Sequence, residues 1–318
     1  MNRWVPLVVA GLAAVVAVVV IGLQVASGAQ PWGMLLTDNF LLARSLPFSL
    51  GLGVAFGAFR ALGREVPRTQ RRGEQLRRFA PGTAVMHWLT ALAVVVGLVT
   101  GAWQYLKGLL AVNSRVDMPL VYRVHYLAAT LLLFAMAHFV TYWLMSDTRR
   151  PLLVPKGQWI RHLRGTAHEL PRPIGNALAA VLGLDMRRQP PPVGEFTYYE
   201  KAVSFPIWGV VLLVIVLTGV LKAMRYVYPM PGDVLWWVSA IHVGGMVALM
   251  VKLLDHLRYV LAPSRWPLLV ASVTTWVSAA YIKKRHPAWL QEVEQPVAEA
   301  PAAAPAAPGP ALQRGGTP

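Results

Sequence analysis

The chain has 318 residues, of which 56% are hydrophobic and only 14% are charged, and its net charge is +16. Soluble domains carry about 25% charged residues, so the composition excludes an ordinary soluble protein and indicates that lipid surrounds most of the chain. The basic residues lie between apolar segments, where they set membrane topology, and this distribution excludes nucleic acid as the expected partner.

The chain also has no cysteine. This excludes disulfides, thiolate-bound iron–sulfur clusters, covalently attached haem and cysteine-based zinc sites. Any metal cofactor must therefore be held by His, Met or carboxylate side chains, and any iron–sulfur cluster must belong to a partner subunit.

Six segments are apolar enough, and long enough at about 20 residues, to span a membrane. In chain order they are 5–25, 40–60, 84–106, 120–145, 203–222 and 234–261. The first also fits a signal peptide, because Arg3 precedes it and small residues follow it. Its apolar stretch exceeds the roughly 7–15 residues of a signal, so we expect a retained helix.

The charges of the loops orient these segments. Residues 60–79 carry seven arginines and residues 146–202 carry nine Lys or Arg, whereas the alternate loops carry few. The positive-inside rule then places the basic loops and both termini in the cytoplasm. The third and fifth spans run outward, and the fourth and sixth run inward.

The chain after the sixth span allows two interpretations. Residues Trp266–Ile282 are apolar enough for a seventh span, but their serines and threonines and the following KKRH cluster favour an interfacial helix on the cytoplasmic face. The Pro/Ala-rich tail cannot bury a core, and we expect it to be disordered. We predict an all-α integral membrane protein with a two-helix extension (1–62), a four-helix bundle (63–290) and this tail (291–318).

Five of the eight histidines lie within the predicted spans, and they are His87, His125, His138, His242 and His256. An ionisable residue at membrane depth is costly and therefore indicates function by default. The alternative for any single histidine is a hydrogen bond to a neighbouring helix.

His242 and His256 are fourteen residues apart on the last span. At about 100° and 1.5 Å per residue, their side chains return to nearly the same face about 21 Å apart, one near each side of the hydrocarbon core. Gly244 and Gly245 follow the first of them, and small residues allow a flat macrocycle to approach. This pattern is typical of a helix that ligates two stacked haems.

Each haem needs a second ligand at a matching depth. The predicted directions place His125 at the outer depth of His242, and His87 at the inner depth of His256. His138 competes with His87, but it is rotated about 140° from the face of His125, which favours a polar contact or a quinone-site role. Two imidazoles saturate the iron, so each haem would transfer electrons.

Two arginines flank the ligands. Arg123 and Arg258 are placed to pair with haem propionates, or they are cations that reach the membrane surface from the ends of the spans.

A quinone site needs an apolar slot with a few polar groups and a source of protons. The inner end of the last span supplies Lys252 and Asp255, which can pair along one helix edge beside His256. The segment before the fifth span adds four more polar groups, at Thr197, Tyr198, Tyr199 and Glu200. The alternative is that Lys252 and Asp255 only neutralise each other at a lipid boundary.

Several motifs resemble the gamma subunit (cytochrome b556) of membrane-bound formate dehydrogenases and, more broadly, the cytochrome b subunits of hydrogenases and thiosulfate reductases. They are RRFAPGTAVMHW, YRVHYLA, EKAVSF with a following Trp, IHVGGMVALMVKLLDH and KKRHPAWLQEVE, and they cover about residues 77–295. The last motif favours formate dehydrogenase.

The resemblance implies two haem b groups, with His87, His125, His242 and His256 as ligands. It implies that electrons arrive from a periplasmic iron–sulfur subunit, itself served by a molybdopterin catalytic subunit. They leave to menaquinone or ubiquinone near the inner haem, within a complex in the bacterial cytoplasmic (inner) membrane. The chain itself would have no catalytic centre for formate.

Two features depart from the family pattern. The first two spans lie outside the four-helix core, and the Asn expected shortly before Lys201 is absent, with Thr197 nearest. A different class also stays open at this point, a haem-free transporter or scaffold whose histidines relay protons or bond helices.

Overall fold

The computed structural model describes residues 38–63, 70–110, 116–146, 152–226 and 228–294. The elements in chain order are α1 (Asp38–Leu62), β1 (Arg71–Arg72), β2 (Gln75–Arg77), α2 (Pro81–Leu109), α3 (Met118–Met145), α4 (Trp159–Glu169), α5 (Arg172–Leu182), α6 (Phe205–Met224), α7 (Gly232–Val260), α8 (Trp266–Thr274), β3 (Trp276–Ser278), α9 (Ala279–Arg285) and α10 (Pro287–Glu294). A π-helical turn, Glu200–Ser204, leads into α6, and a short 3₁₀ turn, Pro263–Arg265, leads into α8.

Within this described part, five helices are long and apolar enough to cross a membrane, namely α1, α2, α3, α6 with its leading turn, and α7. They match five of the six predicted spans, and the chain is a multi-pass membrane protein. The predicted span at 5–25 lies outside the described residues. Proline occupies the first turn of α2 and α3, where its missing N–H has no helical partner to lose.

The helices α2, α3, α6 and α7 form a four-helix bundle, in which α2 packs on α3, α3 on α6, α6 on α7 and α7 on α2. Their shared core is an apolar layer near the middle of the bundle, made by Ala93, Val94, Leu98, Leu132, Leu212 and Leu249. On α7 this layer includes Leu249, midway between His242 and His256, so it separates the two ends of the bundle.

The helix α1 lies against the outside of the bundle and packs most extensively on α3. Two glycines four residues apart, Gly53 and Gly57, bring the two backbones together. A Cβ atom at Gly57 would lie 2.6 Å from the carbonyl oxygen of His138 and 2.9 Å from Cβ of Thr141. Close approach through small residues is the usual way that membrane helices gain packing energy.

The segment Trp266–Ile282 differs from both sequence interpretations. It is neither a seventh span nor one continuous interfacial helix, because α8 ends after nine residues at Thr275, which has a left-handed backbone (φ 71°). The chain then continues as β3. The indole of Trp88 on α2 donates a hydrogen bond to the carbonyl of Ser272 (3.1 Å) and holds α8 against the bundle.

A small antiparallel sheet, with strand order β1-β2-β3, caps the end of the bundle where α2 begins. Arg71 pairs with Leu76 across a hairpin turn that contains Gly73 at φ 58°, and Leu76 pairs with Val277 of β3. Leu76, Val277 and Ile282 are buried together with Trp289 of α10.

The HPAW motif fixes the loop that precedes α6. The ring of His286 donates from Nδ1 to the carbonyl of Gly194 (2.9 Å), and Ala288 N donates to the carbonyl of Val193 (3.1 Å). The guanidinium of Arg78 bonds the carbonyl of Glu195 and pairs with its carboxylate. The helix α10 runs to Glu294, past the predicted start of the tail at 291, and the rest of the tail lies outside the described residues.

Candidate functional site

We keep the names inner pair for His87 and His256 and outer pair for His125 and His242, after the predicted orientation. The two histidines of the inner pair face each other across the bundle. His87 lies near the beginning of α2 and His256 near the end of α7, and their ring centres are 6.3 Å apart. An iron held by two imidazole nitrogens at about 2 Å each separates the ring centres by roughly 6 Å. The spacing of this pair therefore fits a haem iron held between the two rings.

The outer histidines lie at the other end of the bundle, His125 on α3 and His242 on α7. The two imidazoles are close enough to interact electrostatically. A Cβ atom at Gly101 of α2 would lie 3.2 Å from Cε1 of His125 and 3.9 Å from Sδ of Met246, which is one turn after His242. The second pair therefore also spans the interior of the bundle.

Both outer rings are hydrogen-bonded to threonines on neighbouring helices. Nδ1 of His125 lies 2.9 Å from Oγ1 of Thr100 on α2. Nδ1 of His242 lies 2.8 Å from Oγ1 of Thr218 on α6. Sequence reasoning missed both threonines, although each stands before a glycine in a similar apolar setting, LVTGAW and VLTGVL.

The glycines beside the outer ligands differ from those that the sequence suggested. A Cβ atom at Gly245 would meet Ile215 (3.1 Å) and Val214 (3.3 Å) of α6, so this glycine permits helix packing. Gly244 borders open space. The glycines that adjoin the rings are Gly101 and Gly219, and the latter would place a Cβ atom 3.5 Å from Cε1 of His242.

The donor set fits haem at both ends. Each end of the bundle offers two imidazoles from different helices. The apolar layer that lies between the two ends suits flat apolar macrocycles on either side of it. The described residues contain no cluster of three or more His, Cys, Asp or Glu side chains that could hold a bare metal ion, but a haem iron takes only two protein ligands.

His138 faces away from the bundle interior. It is 2% exposed, its Nε2 lies 2.9 Å from a guanidinium nitrogen of Arg60 on α1, and its ring stacks on Tyr142 with centroids 6.0 Å apart. The same guanidinium bonds Thr83 of α2 (3.2 Å). These neighbours on α1, α2 and α3 separate His138 from the polar groups around Lys252, so the structure does not bring it together with the other predicted quinone residues.

The two predicted propionate arginines occupy different settings. Arg123 is exposed and lies two residues before His125 on α3. Arg258 donates to Oδ1 of Asp255 (3.0 Å) and is half-exposed, so in this structure its partner is a protein carboxylate.

A hydrogen-bonded network adjoins the inner pair. Oδ2 of Asp255 accepts from the hydroxyl of Tyr199 (2.5 Å) and from Nζ of Lys252 (2.8 Å). Lys252 is 4% exposed and also donates to Oγ of Ser204 (2.9 Å). The predicted pairing of Lys252 with Asp255 is confirmed, and Ser204 was not anticipated. Ser204 lies in the π-helical turn, a feature that occurs often at functional sites.

Thr197 and Glu200 bond each other reciprocally. Thr197 N donates to Oε2 of Glu200 (2.7 Å), and Glu200 N donates to Oγ1 of Thr197 (3.2 Å). This is a capping box, which fixes the beginning of the helix that leads into α6. The two residues therefore position Tyr199, which lies between them, and they have a structural task of their own.

Glu169 at the end of α4 holds the same segment from the other side. Its carboxylate accepts hydrogen bonds from the backbone N–H groups of Tyr198 (3.1 Å) and Tyr199 (2.8 Å). Burial raises the pKa of Glu169 above the ordinary value. A recess beside it is lined by Tyr199, Arg258, Tyr259 and Arg265 among others. Sequence reasoning missed Glu169, because it lies on a separate amphipathic helix about thirty residues earlier.

The family model of the prokaryotic cytochrome b561 proteins matches residues 78–276 of the chain. No curated protein matches the chain. The matched region contains the whole four-helix bundle and all four paired histidines, whereas α1 lies outside it. The match covers more than half of the chain, and members of this family bind haem b and transfer electrons in membranes. The chain therefore belongs to the prokaryotic cytochrome b561 family, the family of hydrogenase cytochrome b subunits.

Proposed function

We propose that this chain is a dihaem cytochrome b subunit that anchors a periplasm-facing oxidoreductase and passes its electrons across the membrane to quinone. The observation that carries the proposal is the presence of two histidine pairs at opposite ends of one bundle. The inner rings lie 6.3 Å apart, and both outer rings are held by threonines.

The bundle holds the two pairs at fixed depths. Haem b, when bound, supplies a one-electron ferric/ferrous couple. His242 and His256 lie about 21 Å apart along α7, so the four ligands cover much of a hydrocarbon core about 30 Å thick. The apolar layer between the pairs excludes water from the path, and a membrane-crossing route for electrons results.

The network at the inner end suits a quinone head group. Lys252 has three N–H donors, of which Ser204 and Asp255 take two, so one remains for a ligand. Trp208 provides an apolar wall, with the Lys252 ammonium 5.5 Å from the ring centre of Tyr199 and 5.7 Å from that of Trp208. Asp255 orients Lys252 and the hydroxyl of Tyr199. A few fixed polar groups in an apolar setting are what a ligand of this kind requires.

Within this function we propose formate dehydrogenase as the enzyme, on the resemblance of HPAWLQEVE and the other motifs to its gamma subunit. The partners would be an iron–sulfur subunit and a molybdopterin catalytic subunit. A hydrogenase is the second candidate, because the matched family is that of hydrogenase cytochrome b subunits. Purification of the chain with its native partners distinguishes the two by the activity recovered, formate oxidation or hydrogen oxidation, and a thiosulfate or polysulfide reductase would reveal itself in the same way.

The quinone site is tested by Asp255→Asn in the complete complex. Loss of the carboxylate charge releases Lys252 and Arg258 from their shared partner, and we expect quinone reduction to slow about tenfold or more, with haem reduction by the upstream donor unchanged. Glu200→Gln should also slow quinone reduction, because it weakens the capping box that positions Tyr199. Asp185→Asn removes the same charge from an exposed loop, where Asp185 pairs with Arg188 and accepts the backbone N–H of Arg187, and should have no effect. Unchanged quinone turnover in Asp255→Asn, with intact haems, would overturn this site.

A further inference from the structure

The hydroxyl of Thr100 can act only as an acceptor toward His125. A threonine hydroxyl has one hydrogen, and that of Thr100 points back to its own helix, where Oγ1 lies 2.6 Å from the carbonyl oxygen of Val96. A carbonyl cannot donate, so this hydrogen is committed. The remaining contact, 2.9 Å to Nδ1 of His125, must then be a hydrogen bond from the ring to the hydroxyl.

The same arrangement recurs on α6. Oγ1 of Thr218 donates to the carbonyl oxygen of Val214 (2.6 Å) and lies 2.8 Å from Nδ1 of His242. Each threonine belongs to the helix that precedes its ligand helix in the chain, α2 before α3 and α6 before α7. Two independent sites thus have the same ring-to-threonine contact at nearly the same distance, and the ring of His125 also has the backbone carbonyl of Gly97 on α2 as an acceptor.

We infer that Thr100 and Thr218 are positioning residues that fix the Nδ1-protonated form of both outer imidazoles, so that each ring presents the lone pair of Nε2 to an iron. The inference rests on the proposed ligand pair. A histidine ligand normally donates its other ring N–H to an acceptor, which sets the ring orientation and raises the basicity of the ligand. Here the acceptor comes from a neighbouring helix in both cases.

The following glycine completes each unit. Gly101 and Gly219 adjoin Cε1 of His125 and of His242, the ring atom that lies between the two nitrogens. Without a side chain at these positions, each ring edge approaches the helix backbone while Nδ1 reaches the hydroxyl of the preceding threonine. The Thr-Gly pair is therefore one structural unit, used once for each outer ligand.

The inner pair differs. Across the residues that the structure describes, neither His87 nor His256 forms a side-chain hydrogen bond. Apart from the contact with each other, the His87 ring contacts Trp88 and the His256 ring contacts Trp208. Removal of a threonine hydroxyl should therefore alter the outer haem selectively. A ring that no longer donates from Nδ1 is a weaker electron donor, which favours the reduced iron.

The experiment compares midpoint potentials and the EPR spectrum of the ferric haems in the full chain. Thr100→Val and Thr218→Val remove each hydroxyl at nearly constant volume, and Thr100→Ser and Thr218→Ser retain it. Thr130→Val on α3 is the matched control, because its hydroxyl makes the same backbone bond (2.8 Å to Tyr126) and does not contact a ligand. The outer haem is assigned by its loss in His125→Ala.

We expect each valine variant to raise the midpoint potential of the outer haem. The expected rise is at most about 59 mV, which is a tenfold change in the reduction equilibrium of a one-electron couple. The inner haem, both serine variants and Thr130→Val should remain at wild-type values. If a valine variant loses the outer haem, retention by the matching serine variant supports the inference, and loss by both overturns it. An unchanged outer potential in both valine variants also overturns it. A wild-type protein without two haems would instead refute the proposed function.

Discussion

A histidine inside a membrane helix is informative only together with its partners. His138 is the most deeply buried of the five intramembrane histidines, yet its ring is engaged with Arg60 and Tyr142 near α1. His87 and His256 are more accessible, but their rings face each other at a spacing that suits an iron. Burial alone would have selected the wrong residue as a ligand.

Substitution of the inner histidines tests this assignment. We expect His138→Ala to retain two haems per chain, because the contacts that it removes are with Arg60, Tyr142 and Phe56 and not with a paired histidine. We expect His87→Ala to lose the inner haem and to retain the outer one. Haem content per chain, measured on the purified protein, decides the matter. Loss of a haem in His138→Ala together with two haems in His87→Ala would show that the inner pair is wrongly assigned.

His286 makes the cap at the end of the bundle where α2 begins sensitive to acid. Burial, reinforced by the charge of Arg78, lowers the pKa of His286 from 6.5 to about 4. The unfolded segment takes up a proton as the pH falls below about 6.5, and the folded segment does so only near pH 4. The cap should therefore lose stability progressively as the pH falls from 6.5 to 4, and be insensitive to pH above this range.

Hydrogen exchange of the β3 and α9 amides, corrected for its intrinsic pH dependence, measures this effect. We expect protection to fall by about tenfold or more over this range, since one unit of pKa shift corresponds to a tenfold change. The His286→Gln variant should lose the dependence, and His168→Gln, which alters another histidine outside the cap, should keep it. An equal pH dependence in His286→Gln and in the wild type would contradict the account.

The pairing of the histidines could be predicted from the sequence, but the side chains that contact them could not. Helical rotation and depth paired His87 with His256 and His125 with His242, because both quantities depend only on position along a helix. Thr100, Thr218, Ser204 and Arg60 were not accessible, because contacts between helices depend on how each helix is rotated about its axis. That these histidines ligate haem stays a prediction.

At the scale of the helices, hydropathy located the spans well because burial in lipid is a local property of about 20 residues. The small sheet was missed, since its strands have two or three residues and β2 pairs with a strand about 200 residues later. The break at Thr275 was also missed, because a left-handed backbone at a threonine has no sequence signal.

The helix α1 had no assigned task in the sequence, and the structure gives it one. It lies on α3 through Gly53 and Gly57 and inserts Arg60 between His138 and the beginning of α2. A Cβ atom at Gly82 would overlap this guanidinium, at 2.6 Å from its Nε. The helix α1 is therefore a packed part of the cytochrome bundle.

Gly57→Ala tests the docking of α1. The added Cβ would lie 2.6 Å from the carbonyl oxygen of His138, and overpacking of this kind costs about 1–3 kcal/mol. We expect the thermal midpoint of the solubilised protein to fall by several degrees. Gly108→Ala adds the same atom to α2 where nothing lies within 4 Å, and should leave the midpoint unchanged or raise it, since alanine favours a helix. A midpoint raised equally by both substitutions would contradict the docking.

At the scale of the whole molecule, one end of the bundle carries most of its polar structure. The sheet, the helices α4 and α5, the HPAW segment and the Lys252–Asp255–Tyr199 network all lie where α2 and α6 begin and where α3 and α7 end. The two arginine-rich loops join the same end, and the positive-inside rule predicts that it faces the cytoplasm. Quinone bound there would take its protons from the cytoplasm while electrons enter from outside, so turnover would charge the membrane.

The most direct test of the account is the reduced-minus-oxidised visible spectrum of the purified chain, with haem quantified per polypeptide. Two histidine pairs at opposite ends of the bundle predict b-type bands, two haems per chain and a redox titration with two one-electron steps. His125→Ala and His87→Ala should each remove a different step. A single haem per chain, or one haem retained in both variants at the same potential, would contradict the arrangement of two pairs.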